Sequence, residues 1–511
     1  MSLNLRYVLR QLGLVLGVLS LCMTLVGVFQ VLRWWGGASL QPAAIEALGG
    51  AAGAGFAAAV VLWLIGKYRT LDILGRREAL LLVALTWLVG AALAALPFWL
   101  WTWLIGVAEH PLHAWPSAYF EAMSGLTTTG ATVIDTTRVP DTLLLWRAMT
   151  HWLGGLGIVV LFVAVLPTLG VGGKKLYQVE APGPQAKGVR PRIRQTARLL
   201  WSIYLGLTLI EILALHLAGM TWFDSICHTF ATLATGGFST QNGSIGAYGS
   251  PVIDVITIVF MALAGVNFGL YYYLIQGRPK LMWRDAELRL YLTILLGAIA
   301  LVTLSLYGSA IVTSAGDTVA GTFWQALRYG TFQVISIMTT TGFVTADFDQ
   351  WPFLAKAVLV TLMFVGASAG STGGGIKVIR MLVAGKVMIA EVERIYRPKV
   401  VRTIRVGQGV VDTGLRTGVL VYVLMILTIF LLAGVALKLL EAGSLDLVSA
   451  FTASAATLNN IGPGLGAVGA VENYNFFSVP SKLLMSLLMV LGRLELYAIF
   501  VLLAPRFWRG D

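Results

Sequence analysis

The chain has 511 residues, of which 57% are hydrophobic and only 12% are charged, and its mean hydropathy is +0.81. This composition excludes both a soluble globular protein and a disordered one. The formal net charge is +12. The basic residues cluster in short loops on one side of the predicted spans, as the positive-inside rule requires, so we do not expect nucleic acid as a partner. The two cysteines, Cys22 and Cys227, lie in apolar segments and imply no disulfide scaffold.

The chain begins with two predicted transmembrane spans, near residues 11–33 and 43–65. The first apolar run is longer than a signal-peptide core and ends without a small-residue cleavage site, so we expect it to be retained. We assign residues 1–70 to this leading pair of helices. The loop that follows should be cytoplasmic because it carries four basic residues (Lys67, Arg69, Arg76 and Arg77).

The rest of the chain is predicted to form four similar quarters, in residues 71–175, 176–285, 286–408 and 409–511. Each quarter reads as an outer span, a short re-entrant helix, a glycine-bearing segment and a returning span. The re-entrant helices, of about 12 residues or roughly 18 Å, are too short to cross a membrane. The predicted outer spans are 79–101, 197–219, 289–313 and 414–440, the re-entrant helices 115–126, 222–233, 321–338 and 445–457, and the returning spans 140–168, 250–275, 353–386 and 480–504.

A proline stands near the start of every returning span, where its missing N–H is not needed (Pro140, Pro251, Pro352 and Pro480). The quarters therefore share the position of this proline as well as their order of elements. The sequence predicts an all-α polytopic membrane protein with ten transmembrane helices and with both termini on the cytoplasmic side.

One short motif occurs once in each quarter, directly after the re-entrant helix. The copies align on a glycine and recur at spacings of 107, 105 and 120 residues, a period that marks a repeated supersecondary unit. A large apolar residue stands four positions before each glycine and a polar residue two positions before it. The copies are Leu126-Thr127-Thr128-Thr129-Gly130-Ala131, Leu233-Ala234-Thr235-Gly236-Gly237-Phe238, Met338-Thr339-Thr340-Thr341-Gly342-Phe343 and Leu458-Asn459-Asn460-Ile461-Gly462-Pro463.

We interpret these four copies as the segments of an ion-selectivity filter. Unwound backbone is costly in lipid unless it faces protein or a water-filled path, and rings of carbonyl oxygens can replace the hydration shell of a cation. Close packing between helices is the alternative for a single Gly/Thr cluster, but four clusters in register favour the filter. The predicted ion-binding residues are Thr128, Thr129, Gly130, Thr235, Gly236, Gly237, Thr340, Thr341, Gly342, Asn460, Ile461 and Gly462.

A glycine-rich stretch, residues 366–377, interrupts the third returning span. Each glycine costs about 1 kcal/mol in a helix interior, so this density predicts a broken helix beside the pore. We interpret the stretch as a gate; a flexible kink for tight packing is the alternative. The stretch is not a nucleotide-binding loop, because it lacks the required Gly-Lys-Ser/Thr. A second stretch, Gly464 to Gly469, matches the dinucleotide-binding fingerprint by letter, but it follows a helix and not the strand that the fingerprint requires. The predicted gate residues are Gly370, Ser371, Thr372, Gly373, Gly374, Gly375, Lys377 and Arg493.

Arg493 is included because it lies about 14 residues into the last span, where an arginine is normally paired or beside water. We expect it to project under the fourth filter segment and to hold the glycine-rich loop or raise an electrostatic barrier. The alternatives are snorkelling to the cytoplasmic surface or pairing with Glu495. Arg147 and His151 share a helix face and are interpreted as structural or interfacial, and Glu211 and His216 are interpreted as packing or pairing residues.

These motifs resemble the TrkH/KtrB/HKT superfamily of potassium transporters, most closely the TrkH branch, over essentially the whole chain. The resemblance implies two leading helices plus four M1–P–M2 (potassium-channel-like) repeats around a pseudo-fourfold pore, in a homodimer with one pore per subunit. Glycine rather than serine at Gly130 implies preference for potassium. The other matching stretches are Thr127 to Gly130, Ala234 to Ser239, Thr340 to Phe343, Asn459 to Gly464, His151 to Gly157, Gly370 to Lys377 and Leu491 to Leu496.

The resemblance also implies the function and its partners. We expect potassium uptake across the bacterial cytoplasmic (inner) membrane through a gated, potassium-selective pore, with potassium as the transported ion and no organic cofactor. The expected partners are membrane lipid and a separate cytoplasmic TrkA-type nucleotide-binding subunit, with Lys174 to Arg198 and Arg394 to Arg405 as plausible docking loops. A secondary transporter that couples potassium to H⁺ or Na⁺ is the alternative, and no enzyme is predicted. Because the fourth segment has Asn459-Asn460 in place of threonines, we expect an imperfect fourfold site.

Overall fold

The computed structural model describes residues 3–66, 75–164, 193–399, 403–407, 409–443 and 445–509. Within these ranges the chain is mostly helical, and its strands form two short antiparallel hairpins. Several residues of the predicted basic loops lie outside the described residues (Lys67, Arg69, Lys174, Lys175, Lys187, Arg190 and Arg192).

Six helices in the described ranges are long and apolar enough to cross a membrane. Two of the four returning segments also qualify when their two bent helices are counted as one span, which gives up to eight candidate spans within the described residues. These elements confirm the prediction of an all-α polytopic membrane protein. The six are the leading helices Leu5–Trp35 and Pro42–Gly66 and the outer helices Arg76–Leu104, Ile193–Leu217, Ala286–Leu306 and Thr413–Leu440.

Three of the four returning segments are broken helices. The prediction of continuous spans at 250–275 and 480–504 is wrong, because these segments bend by 98° and 117° at short breaks. The fourth breaks where Glu495 and Leu496 take positive φ angles of 56° and 64°, which no helix accommodates. The returning segments are Asp141–Ala164, Pro251–Ala264 with Phe268–Ile275, Phe353–Val365 with Val378–Tyr396, and Val479–Arg493 with Tyr497–Leu503.

The four re-entrant helices are Trp115–Leu126, Trp222–Leu233, Phe323–Met338 and Leu447–Leu458. The third has 16 residues, four more than the others. Three of them begin at a capping side chain, since Thr221, Thr322 and Asp446 accept hydrogen bonds from N–H groups of the first turn. Their last turns are buried, so their carbonyl ends point into the protein rather than into lipid.

The third outer helix ends at Leu306, not near residue 313 as predicted. The chain then forms an antiparallel hairpin, Ala310–Val312 with Thr318–Ala320, in which Ile311 pairs with Val319. This hairpin leads directly into the third re-entrant helix. A second hairpin, Arg405–Val406 with Gly409–Val410, precedes the fourth outer helix.

The distribution of side chains suits a lipid environment. Large apolar side chains on the outer helices are exposed, including Leu209 at 61%, Leu296 at 67% and Leu424 at 65%. The threonines and asparagines of the four glycine-bearing segments are fully buried instead. The polar interior of the fold is therefore where the four re-entrant helices end.

Candidate ion-conduction site

The four glycine-bearing segments form a closed ring. Each aligned glycine has a positive φ, between 79° and 96°, and packs against the carbonyl oxygen that precedes the next segment's glycine. The contacts run from the first segment to the second, third and fourth, and from the fourth back to the first. A Cβ atom added at Gly130 would lie 2.2 Å from the carbonyl oxygen of Gly236, and one added at Gly237 would lie 2.1 Å from that of Thr341. A Cβ atom at Gly342 would lie 2.0 Å from the Ile461 carbonyl oxygen, and one at Gly462 would lie 2.8 Å from that of Thr129.

All four aligned glycines also line one common cavity, with a volume of about 260 Å³, which we call the outer cavity. Its remaining walls come from residues that follow the glycines in the chain, including Asp135, Arg147 and Glu472. Hydrogen bonds from Asn242 and Thr137 hold the pKa of Asp135 below its ordinary value, so this carboxylate remains charged at neutral pH. A ring of neutral carbonyl oxygens beneath an aqueous cavity can replace the water shell of a cation.

A polar residue with left-handed backbone geometry follows the end of each re-entrant helix by two positions and stands two positions before the aligned glycine. The φ angles at Thr128, Thr235, Thr340 and Asn460 lie between 53° and 59°. For residues other than glycine this geometry costs about 1–2 kcal/mol and persists only where the surroundings impose it. The backbone of the four segments is therefore fourfold symmetric even where their side chains differ.

The side chains at these four positions have different partners, as the substitution of asparagine in the fourth segment predicts. The Thr235 hydroxyl donates to its own neighbour, the Ala234 carbonyl (2.6 Å), and the Asn460 amide donates to Thr129 Oγ1 (3.0 Å) and the Met489 carbonyl (2.9 Å). The Thr340 hydroxyl accepts a hydrogen bond from the Gly374 N–H at 2.7 Å. The Thr128 hydroxyl is buried and has no hydrogen-bond partner within the described part of the chain.

Within the first segment, and likewise within the third, two threonine hydroxyls form a hydrogen bond with each other. The Thr127 and Thr129 hydroxyls are 2.8 Å apart, as are those of Thr339 and Thr341. Thr127 and Thr339 also donate to carbonyls of their re-entrant helices. The third threonine of each run therefore presents its carbonyl to the ring, while its hydroxyl stabilises the segment.

The glycine-rich loop, residues 366–377, lies against the filter on the side opposite the outer cavity. Thr372 Oγ1 donates to the carbonyl of Leu233 at 2.9 Å, at the end of the second re-entrant helix. A Cβ at Gly373 would lie 2.9 Å from the Thr339 carbonyl oxygen, and one at Gly374 would lie 2.4 Å from that of Asn459. The loop thus touches three quarters at once. Gly370 and Gly375 have positive φ angles of 72° and 75°, and the Lys377 ammonium closes the loop by donating to the Gly373 carbonyl at 2.6 Å.

Arg493 is buried and holds this loop from the fourth quarter. Its guanidinium donates to the carbonyl of Thr372 at 2.8 Å and to that of Gly154, on the first returning helix, at 3.4 Å. The alternative of snorkelling is wrong because the residue is 3% exposed. Pairing with Glu495 is wrong as well, since Glu495 accepts from Arg380 at 2.6 Å. The loop and Arg493 together span all four quarters below the ring.

Two further carboxylates support the site and were not predicted. Glu287 accepts the N–H groups of Ala369 (2.7 Å) and Ile379 (3.1 Å), so one carboxylate oxygen binds the glycine-rich loop and the first turn of the helix that follows it. Glu121 accepts from Arg147 Nε at 2.6 Å and from the Val133 N–H at 2.9 Å, just after the first filter segment. The signal for both was a carboxylate inside or at the start of an apolar segment, which normally marks a paired or functional residue.

Arg147 and His151 lie beside the filter. Arg147 also donates to the Ser239 carbonyl at 3.0 Å and its guanidinium lies 3.4 Å from the centre of the Phe238 ring. The His151 ring fills the space beside Gly236, where an added Cβ would lie 1.7 Å from Nδ1. Both residues pack the second filter segment from behind, in agreement with the structural role predicted for them.

Known proteins match most of the chain, and one curated relative and one solved structure match nearly all of it. The TrkH family of cation transport proteins matches residues 77–509. The Trk system potassium uptake protein TrkH of Escherichia coli (strain K12) is 40% identical over 436 residues, covering 85% of this chain and 86% of that protein. The TrkH of Halomonas elongata is 38% identical over 510 residues, covering 99% and 100%.

The crystal structure of the potassium transporter TrkH from Vibrio parahaemolyticus superposes with a TM-score of 0.85 at 33% identity and covers 99% of this chain and 100% of that one. These similarities confirm the resemblance drawn from the sequence motifs. The chain therefore belongs to the TrkH family of cation transport proteins.

Proposed function

We propose that this protein takes up potassium across the cytoplasmic membrane through a gated, potassium-selective pore. The observation that carries the proposal is the closed ring of four glycine-bearing segments, in which each aligned glycine packs against a backbone carbonyl of the next segment and all four glycines line one cavity. The relatives named as potassium uptake proteins support potassium as the transported ion. The driving force for such a pore is the membrane potential, which supplies about 2.3 kcal/mol per 100 mV for a monovalent ion.

The chemistry of the ring favours a monovalent cation. Its oxygens belong to the neutral carbonyls of Thr129, Gly236, Thr341 and Ile461, whereas calcium and magnesium sites are built with carboxylates. Within the described ranges, no group of three His, Cys, Asp or Glu residues is placed to hold a metal ion. We propose that the twelve filter residues predicted from the sequence contribute this site chiefly through their backbones, with potassium as the ion that binds.

The gate in this proposal is the glycine-rich loop with Arg493. The loop lies under three filter segments, and the Arg493 guanidinium binds the loop and the first returning helix on the fourth side. In our proposal this guanidinium places a positive charge on the ion path. A fixed positive charge in a narrow pore raises the barrier for a cation. Moving the loop and Arg493 aside would therefore open the path.

We also propose the partners and orientation that the sequence predicts. The chain would form a homodimer in membrane lipid of the bacterial inner membrane, with both termini cytoplasmic. A separate TrkA-type nucleotide-binding subunit would dock on the basic cytoplasmic loops and control the gate. Arg394 and Arg397 supply part of such a surface, with side chains that are 70% and 63% exposed.

The alternative is a secondary transporter that couples potassium to H⁺ or Na⁺. One observation favours it, namely the fully buried carboxyl of Glu211 in the second outer helix, since intramembrane carboxyls often serve proton relays. Against it stand four quarters in the same orientation, whereas transporters with alternating access more often have inverted repeats around a midplane site.

Uptake of radioactive rubidium by proteoliposomes tests the proposal. The purified chain is reconstituted into vesicles loaded with potassium and diluted into potassium-free medium containing trace rubidium. A pore predicts rubidium accumulation that follows the potassium gradient at equal internal and external pH and without sodium. Accumulation that requires a proton or sodium gradient would establish the coupled mechanism, and no accumulation above that of empty vesicles would refute potassium transport.

A further inference from the structure

One hydrogen bond connects the filter directly to the glycine-rich loop. The Thr340 hydroxyl is fully buried and accepts the N–H of Gly374 at 2.7 Å. Thr340 stands two positions before Gly342 and has the same left-handed backbone as its counterparts in the other quarters. It is therefore both a filter residue and an anchor of the loop.

The counterparts of Thr340 have no such bond. Thr235 donates to the carbonyl of its own neighbour, and the Asn460 amide donates to Thr129 and to a carbonyl of the fourth returning helix. Among these four positions, in the described part of the chain, Thr340 alone forms a hydrogen bond with the loop. The other three quarters therefore lack a hydrogen bond from this position to the loop.

The bond places an amide dipole on a filter residue. Thr340 lies on the loop side of the aligned glycines, and a hydroxyl oxygen is a type of ligand that a dehydrated cation accepts. The Gly374 N–H directs its positive end at this same oxygen. A cation and an N–H group that share one oxygen repel each other, so each weakens the binding of the other. Such coupling is reciprocal by thermodynamic linkage.

We propose that Thr340 couples ion occupancy of the filter to the position of the gate. A cation bound at the Thr340 oxygen releases the loop, and a seated loop weakens cation binding at that oxygen. The proposal rests on the proposed function, because it requires that the ring binds potassium and that the loop closes the pore. It makes Thr340 a positioning residue for the gate as well as an ion ligand.

Hydrogen exchange of the loop amides, measured by mass spectrometry on peptides covering residues 366–377, tests the proposal without relying on transport. The purified chain is compared in potassium chloride and in N-methylglucamine chloride at equal ionic strength. We expect exchange to be about three- to tenfold faster in potassium, the size of effect that one hydrogen bond supports. In Thr340→Val, exchange should be fast in both salts. Thr340→Ser, which retains the hydroxyl, should restore the dependence on potassium.

Thr235→Val is the matched control, because it removes the equivalent hydroxyl of the second segment, which donates to the Ala234 carbonyl instead of binding the loop. Whatever it does to ion flux, the loop amides should still exchange slowly in N-methylglucamine. Exchange that is equal in the two salts for the unmodified chain would overturn the proposal. So would a potassium dependence that persists in Thr340→Val, or Thr235→Val releasing the loop as strongly as Thr340→Val.

Rubidium uptake measured on the same preparations distinguishes a failure of the proposed function from a failure of the proposed coupling. An unmodified chain that carries rubidium but shows no potassium-dependent exchange retains the proposed function and loses only the coupling. A chain that carries no rubidium loses the proposed function and the coupling with it. If Thr340→Val does not fold, the salt comparison on the unmodified chain and on Thr340→Ser still decides, since both must show faster exchange in potassium.

Discussion

Arg493 and Thr372, 121 positions apart in the chain, are joined by a hydrogen bond of 2.8 Å from the guanidinium to the backbone carbonyl. The same guanidinium reaches the Gly154 carbonyl on the first returning helix. One side chain from the fourth quarter therefore ties the loop of the third quarter to the first. These bonds are buried and charge-assisted, which makes them stronger than hydrogen bonds between neutral groups.

Replacing this side chain is expected to open the proposed gate. Hydrogen bonds to a charged group contribute about 1.5–3 kcal/mol each, so Arg493→Ala should shift the loop toward its released position and raise basal rubidium flux by about tenfold or more. Arg493→Lys retains the charge but cannot reach both carbonyls in the same way and should give an intermediate flux. The measurement is uptake by proteoliposomes containing the chain alone.

Arg416→Ala supplies a control, since Arg416 donates to the backbone of Val411 at the start of the fourth outer helix, away from the loop. It should leave the flux unchanged. Flux through Arg493→Ala that equals or falls below that of the unmodified chain, in protein that elutes as a single species, would contradict a closing role for Arg493.

Gly130 tolerates no side chain for two separate reasons. Its φ is +84°, and an added Cβ would lie 2.2 Å from the Gly236 carbonyl oxygen, which belongs to the ring. In Gly130→Ser this oxygen must move, so we expect the ratio of rubidium to sodium flux to fall by about tenfold, equivalent to ~1.4 kcal/mol. Gly462→Ser should be milder, since the nearest oxygen is 2.8 Å from the added Cβ.

Gly27→Ser is the matched control for Gly130→Ser and Gly462→Ser, because Gly27 lies in the first leading helix and an added Cβ would meet nothing within 4 Å. Flux ratios are measured in parallel from rubidium and sodium tracers. An unchanged ratio in Gly130→Ser would remove Gly130 from the selective part of the pore. A larger loss in Gly462→Ser than in Gly130→Ser would contradict the ranking by contact distance.

The sequence predicts the ring because its signal is repeated. One Gly/Thr cluster is ambiguous, but four copies in register each specify the same local event, a helix that ends at a polar residue and a glycine. The cyclic order of contacts from Gly130 through Gly462 could not be predicted, because it depends on how four distant quarters pack.

The partners of single charged residues could not be predicted from the sequence either. Arg493 pairs with backbone carbonyls rather than with Glu495, since the fourth returning helix breaks between them and turns Glu495 toward Arg380. Glycine density marked the break in the third returning span. The fourth break had no such signal, because it rests on left-handed geometry at Glu495 and Leu496, two residues that local preference would keep in a helix.

Glu287 is expected to hold the closed loop as firmly as Arg493 does. Its carboxylate accepts the N–H groups of Ala369, in the loop, and of Ile379, in the first turn of the helix that follows the loop. Glu287→Ala leaves two buried N–H groups without this acceptor, at about 1–3 kcal/mol each, so basal rubidium flux should rise by about tenfold or more. Glu287→Gln keeps an acceptor oxygen and should give a smaller rise.

Glu391→Ala is a suitable comparison, because this glutamate lies in the helix that follows the loop and its side chain is 64% exposed. It should not alter flux through the chain alone. Equal flux in Glu287→Ala and the unmodified chain would mean that the loop is held without this carboxylate. A rise in Glu287→Gln as large as that in Glu287→Ala would point to the charge rather than to the hydrogen bonds.

The buried pair of Glu121 and Arg147 is expected to determine stability rather than gating. Their side chains are 0% and 3% exposed and 2.6 Å apart, and Glu121 also fixes the Val133 N–H behind the first filter segment. Removing one partner of such a pair leaves an uncompensated buried charge and typically costs about 3–5 kcal/mol. Arg147→Met should therefore lower the thermal unfolding midpoint of the detergent-solubilised protein substantially.

The double variant Glu121→Gln with Arg147→Met removes both charges and should recover part of the lost stability, because no buried charge is then left unpaired. The comparison is a double-mutant cycle on unfolding midpoints, with each variant checked for monodispersity. Arg138→Met is the control, since its ion pair with Asp135 lies at a side chain that is 77% exposed and contributes little. If the double variant unfolds at a lower temperature than either single variant, the pair does not stabilise the fold by charge neutralisation, and the packing of Arg147 on Phe238 becomes the dominant contribution.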